Sequence, residues 1–174
     1  MTDPCLTPPT APDPALAALR RCDVGPHASG ALYLAAMPGR HADLESFRQD
    51  IARCGISHLL CLAEEHELQR LSPSYLEMIR TGALGAIHDW YPIPDRSVPS
   101  DGRSFAALIE AYSGHLASGR NVVIHCAAGI GRSGLFATAL LGALGCSDRE
   151  ATQRVSAAGA GPESAMQVEF LKGG

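Results

Sequence analysis

Apolar positions along the chain fall into two alternating rhythms. Short, largely apolar runs at residues 31–35, 56–62, 86–91 and 121–126 have the length of strands. Between them the spacing is helical. Residues 41–54 place Leu44, Phe47, Ile51 and Cys54 on one face, and Gly55 follows as a stop signal. Residues 73–80 predict a shorter helix. Residues 104–118 predict a longer one, with Leu108, Ile109, Tyr112 and Leu116 on one side. Ser147 and Glu150 form a capping box for a helix that runs through Val155 and stops near Gly159. Strands alternating with helices predict an α/β fold: a single domain whose central sheet is mainly parallel and flanked by helices. No internal repeat is visible.

Composition narrows this picture. A chain of 174 residues suits one domain with a full core. Pro4, Pro8, Pro9, Pro12 and Pro14 mark residues 1–14 as an extended or disordered arm, which leaves 15–174 as the domain. The net charge is −4, the lone lysine is Lys172, and the arginines are dispersed, so no nucleic-acid footprint is expected. The N-terminus lacks the basic and apolar regions of a signal peptide. The longest apolar stretch, 135–146, is too short to span a bilayer. A cytoplasmic protein without membrane partners is expected, with a monomer favoured. Six cysteines without CxxC pairs and seven histidines without HxxxH or HExxH spacing predict reduced thiols, no metal and no cofactor.

Chemistry concentrates in one stretch, IHCAAGIGRSG, at residues 124–134. Gly129, Gly131 and Gly134 spell GxGxxG, which suggests a dinucleotide turn between a strand and a helix. That reading needs a second strand closing on an acid about 20 residues later. Asp148 and Glu150 open a helix instead, and the remaining chain offers no convincing strand. The same letters also place Cys126 six positions before Arg132, as a thiolate phosphatase loop requires. Backbone amides of Ala127, Ala128, Gly129, Ile130 and Gly131 would converge on phosphate oxygens, and the planar fork of Arg132 would close the ring. These dipoles and the arginine favour an anionic Cys126, the expected nucleophile. Ser133 could donate to the thiolate when it leaves. His125 is expected to orient the loop backbone by a hydrogen bond, in preference to moving a proton itself.

A departing alkoxide or phenolate must be protonated. Asp95, in a loop stiffened by Pro94 and Pro99, is the expected acid. An aspartate beside proline is common in turns, and the Cys/Arg loop downstream raises it above that background.

Together these residues carry a resemblance. HCAAGIGRSG is similar to the signature of the protein tyrosine phosphatases, HCxxGxxR followed by Ser or Thr, and PDRSVP resembles their mobile acid loop. Ile93 stands where a tryptophan is usual and Ser97 where a glycine is common. LYLAAMPGR, SHLLCLAEEHEL and IHDWYPIPD, in that order, resemble the compact dual-specificity, kinase-associated branch and its bacterial relatives, over roughly 31–171.

The resemblance implies a metal-free, two-step hydrolysis of phosphoprotein monoesters through a phosphocysteine. Phosphotyrosine would be a substrate, with phosphoserine and phosphothreonine in addition at a shallow site. Gln167 would position water in the second step; its alternative is a surface position on the last helix. Cys61, at a neighbouring strand end, is a possible redox partner of Cys126, against the plainer reading of a buried strand cysteine. Other functions are a catalytically weak phosphoprotein-binding module, or a phosphatase for a non-protein ester such as a phosphoinositide. Neutral Ala127, Ala128 and Ile130 argue against the latter. Sulfur transfer and arsenate reduction also use a loop cysteine, but neither calls for Asp95.

Overall fold

The computed structural model describes residues 19–41 and 43–173. The proline-rich arm expected at 1–14 lies outside them. Five strands form one sheet in the order β1-β2-β5-β3-β4. They are β1 (Arg20–Cys22), β2 (Leu32–Ala35), β3 (Ile56–Cys61), β4 (Ile87–Trp90) and β5 (Asn121–His125). β1 runs antiparallel to β2, and every other pairing is parallel. Each predicted strand is present, shortened by one to two residues. β1 was not anticipated, because three residues reading RRC carry no apolar rhythm.

Among the described residues seven α-helices cover the sheet. They are α1 (Leu44–Arg53), α2 (Glu65–Leu71), α3 (Pro73–Thr81), α4 (Gly102–Ala117), α5 (Gly131–Ala143), α6 (Asp148–Ala157) and α7 (Ala165–Lys172). Helix α1 begins after the expected residue 41, because the Asp43 side chain accepts the Ser46 N–H and sets the N-cap there. The sequence reading missed α2, whose capping box uses Glu64 in place of the usual serine or threonine. At α6 the expected box of Ser147 and Glu150 is formed.

Alternation along the strands divides the core in two. Leu34, Leu60, Leu62, Val122 and Ile124 face α4, α5 and α6. Tyr33, Ala35, Leu59, Cys61 and Val123 face α1, α2 and α3. The central strand β5 is buried on both faces, and in register Cys61 and His125 end β3 and β5 side by side while Trp90 ends β4 beside Cys61. Three loops therefore leave the sheet at one carboxyl edge, the place where open α/β sheets hold ligands. Among the described residues no helix is long and apolar enough to cross a membrane.

Candidate active site

The loop after β5 wraps the N-terminus of α5. Its conformation depends on small residues. Gly129 has φ of 71°, and a Cβ there would lie 2.2 Å from the Ala35 carbonyl oxygen. A Cβ on Gly134 would lie 2.3 Å from the Gly161 nitrogen. These two glycines thus answer to turn geometry and to close backbone packing. Cys126 is buried, and the Gly129 N–H donates to its Sγ at 3.2 Å.

Carbonyls on the outside of the loop are pinned, which aims amides inward because the C=O and N–H of a trans peptide point in opposite directions. The Ala127 carbonyl accepts from the Met37 N–H at 3.2 Å and from Arg40 Nη1 at 2.9 Å. The Ile130 carbonyl accepts from the amides of Gly134 at 2.8 Å and Gly161 at 3.2 Å. The Cys126 carbonyl lies 3.3 Å from His125 Nδ1. A carbonyl can only accept, so Nδ1 carries the proton and Nε2 is bare. Tyr75 Oη, 2.7 Å from Nε2, must then be the donor. Burial pushes the His125 imidazole down to about 3, so it is neutral at physiological pH. Burial likewise holds the Tyr75 phenol far above its usual range, where it keeps the proton it donates.

Arg132 is almost fully buried at 2 % exposure. Its Nη1 donates to Glu67 Oε2 at 2.6 Å and to the Ile93 carbonyl at 2.9 Å, and its Nη2 donates to Glu67 Oε1 at 2.8 Å. Asp95 Oδ1 lies 3.2 Å from the same Nη2. Glu67, on the unanticipated α2, is therefore the residue that holds the fork flat. Burial opposes the Arg132 charge, but hydrogen bonds to Glu67 and the charges of Cys126, Glu67 and Asp95 outweigh it and raise its pKa. Burial likewise opposes the Glu67 carboxylate, yet the Arg132 and backbone hydrogen bonds hold its pKa below the ordinary value.

A carboxylate of this kind adds stability above its unfolded pKa and loses that contribution as pH falls through the lower folded value. Glu67→Gln should therefore cost about 3 kcal/mol at pH 7 by leaving Arg132 half-paired in the interior. In urea titrations the gap from wild type should shrink below about pH 4. A gap independent of pH would contradict this account of the pair.

The acid loop is docked. Tyr91 and Ile93 continue the ladder with β3 through the Cys61 and Leu62 carbonyls, and Ile93 is buried in the core. The chain then turns at Pro94, with the Ser97 N–H on the Pro94 carbonyl at 3.0 Å. Arg96 occupies the left-handed position of this turn, φ 58°, where glycine is usual. Its guanidinium reaches the Glu163 carbonyl at 3.2 Å.

Gln167 is wholly buried, which removes the alternative of a surface position. Its Nε2 donates to the Ser97 carbonyl at 3.0 Å and its Oε1 accepts the Glu163 N–H at 2.8 Å, so it fastens the acid loop to α7. Ser133 Oγ is buried and has no hydrogen-bond partner among the described residues. Cys61 is buried beside the site as the register partner of His125, and its thiol contacts the Ala63 carbonyl at 3.9 Å. Cys61 and Cys126 are both free thiols.

The structure thus brings Cys126, Arg132 and Asp95 to one edge of the sheet and adds Glu67, Tyr75 and Arg40, which no local pattern announced. Comparison with known proteins agrees with this geometry. Residues 31–169 match the family described as PTP-SAK, Swiss Army Knife protein, DSP-PTPase phosphatase domain. Cyclin-dependent kinase inhibitor 3 of Sus scrofa is 30% identical over 116 residues, which are 63% of this chain and 53% of that protein. The chain therefore spans about half the length of this curated relative.

The solved structure of kinase associated phosphatase (KAP), with its catalytic-site cysteine replaced by serine, superimposes with a TM-score of 0.77 at 24% identity, covering 88% of this chain and 91% of that one. Tk-PTP in its active form gives 0.66 at 25% identity, covering 88% and 95%. The chain belongs to the protein tyrosine phosphatase superfamily, in the compact dual-specificity branch of cysteine-dependent phosphatases.

Proposed function

We propose that the domain hydrolyses phosphate monoesters on proteins, phosphotyrosine and also phosphoserine or phosphothreonine, through a phosphocysteine at Cys126. The observation that carries this reading is the convergence of the Arg132 fork on Asp95 at the mouth of the loop that encloses Cys126. A binding module needs the fork and the amides; it has no use for the acid. The neutral side chains of Ala127, Ala128 and Ile130 favour a protein monoester over a polyphosphorylated lipid headgroup. The relatives' names, which associate them with kinases, point to a phosphoprotein as well.

In the first step the Cys126 thiolate attacks phosphorus, the P–O bond to the leaving group breaks, and Asp95 gives that oxygen its proton. Phosphate entering the loop competes with Asp95 for Arg132 Nη2. The substrate thereby releases the carboxylate, which is 67% exposed, to take a proton from solvent and pass it to the leaving oxygen. In the second step Asp95, now a base, takes a proton from water as water attacks the phosphocysteine. Inorganic phosphate and the thiolate are released, and Ser133 Oγ, with no other partner, donates to the departing sulfur. Gln167 uses one donor on the acid loop and one acceptor on the Glu163 N–H before α7, and keeps one of each for that water, which it reaches when the loop lifts.

Turnover of phosphotyrosine, phosphothreonine and phosphoinositide substrates, compared side by side, tests the reading. Release of phosphate from the two phosphopeptides, undiminished by EDTA, is expected. No turnover of any of them defeats the proposal, and a metal requirement defeats the mechanism.

Cys61 bears on regulation of the same site. Burial raises its thiol to about 12, and the neighbouring Cys126 charge adds to that, so it stays protonated until a sulfenic acid forms next door. Peroxide would oxidise Cys126 to the sulfenic acid, which condenses with the Cys61 thiol to a disulfide and water. Inactivation by peroxide should be fully reversed by dithiothreitol in wild type and only in part in Cys61→Ser. Identical recovery would assign Cys61 to the core alone.

A further inference from the structure

The Gly129 carbonyl of the loop is pinned as well, by a side chain from the far edge of the sheet. Arg20, the first residue of β1, donates to it through Nη2, and through Nη1 to the carbonyls of Ala158 at 3.1 Å and Gly159 at 2.6 Å. We infer that Arg20 is a positioning residue for the nucleophile: it holds the Gly129–Ile130 peptide with its N–H toward the phosphate, and it adds a cation on the outer side of the Cys126 loop. The inference rests on the proposed role of Cys126 and of its loop.

The geometric half follows from peptide planarity. With the Gly129 carbonyl drawn outward by a guanidinium, the Ile130 N–H must face the opposite way, into the cradle. Gly129 is the loop residue in the left-handed conformation, so its flanking peptides are the ones most able to rotate. Three carbonyls from two separate segments share one planar fork, which fixes its direction better than a single bond could.

The electrostatic half depends on which charges are already matched. Around Cys126 and its loop stand Arg132 on α5, Arg40 on the Ala127 carbonyl, Asp95 in the acid loop, Glu67 on α2, Cys61 on β3, His125 on β5, Glu163 against Gly131 and Arg20 on β1. His125 is neutral, and the guanidinium of Arg132 is matched by the carboxylates of Glu67 and Asp95. Among the described residues the hydrogen-bond acceptors of Arg20 are backbone carbonyls, and no carboxylate of theirs pairs with it. Burial lowers the pKa of Arg20 and the Cys126 charge opposes that drop. The attraction is mutual, so the guanidinium favours the thiolate in return.

The test is alkylation of Cys126 by iodoacetate followed across pH, with the modified peptide identified by mass spectrometry and the melting temperature of each variant recorded. In Arg20→Met the midpoint of the pH dependence should move up by about one unit. In Arg154→Met, which removes an arginine paired with Asp23 just past the other end of β1, it should not move. An Arg20→Met protein that melts like wild type and alkylates with the wild-type pH dependence overturns the inference.

If Arg20→Met does not fold, Arg20→Lys decides. Its charge should keep the alkylation profile in place, while one ammonium cannot hold three carbonyls and tungstate affinity should fall about tenfold. Wild-type tungstate affinity in that variant overturns the inference. A wild-type protein that alkylates at Cys126 and turns over no phosphate ester would defeat the proposed function and leave the Arg20 comparison intact.

Discussion

Cys126→Ser should lose turnover of an aryl phosphate by about four orders of magnitude or more, while it still binds tungstate or phosphate with near wild-type affinity. The two halves of this result have separate structural causes. Sulfur supplies the nucleophile. A serine hydroxyl at the same position is not ionised at neutral pH, and the neutral, buried His125 is already committed to Tyr75 and to the Cys126 carbonyl, so it cannot act as the missing base. Binding belongs to other atoms. The inward amides are held by partners on the outer side of the loop, and Arg132 is held by Glu67 and the Ile93 carbonyl. Among the described residues the cradle amide that touches the sulfur is the Gly129 N–H, and a serine oxygen can accept it as well. A serine variant that turned over normally would remove Cys126 from the chemistry, and one that lost anion binding as well would show that the sulfur builds the cradle.

Asp95→Asn should slow phenyl phosphate by about 10²- to 10⁴-fold and an activated nitrophenyl ester far less, because a good leaving group departs without a proton. Asparagine preserves the shape of the loop. The anchors at Ile93, Ser97 and Gln167 do not touch the carboxylate, so loop position should survive the substitution. The same change removes the ion pair that occupies Arg132 Nη2, and anion affinity should rise as rate falls. Equal loss on both esters would point to a different acid.

The acid loop also shows how packing modified an expectation. A proline-bracketed loop reads as one that swings as a unit. Here it lies against the site, held by Arg132 on the inside and by Gln167 and Arg96 on the side of α7. Ile93, in the place of an expected tryptophan, is buried under it as an anchor. Gln167 was legible as a residue of interest only through resemblance. Its burial and its hydrogen bond to the Ser97 carbonyl depend on α7 docking beneath a loop that lies 70 positions away in sequence.

Local signals were readable wherever the physics is local. Strand and helix rhythms, the capping box at Ser147, the cysteine and arginine six positions apart, and the glycines between them all act within a few residues. The dinucleotide alternative fell on similar grounds, since the chain after α5 supplies only helices among the described residues. The partners of the site were not readable. Glu67 meets Arg132 across 65 positions, Tyr75 meets His125 across 50, Arg40 meets Ala127 across 87 and Arg20 meets Gly129 across 109.

A glutamate on a short helix, or an arginine in an edge strand of three residues, has the appearance of any solvated charge until the sheet order places it. The linear pattern therefore determined which atoms can do the chemistry. Only the tertiary structure decided what orients them, because a buried charge or an outward carbonyl is satisfied by whichever distant group the fold brings within about 3 Å.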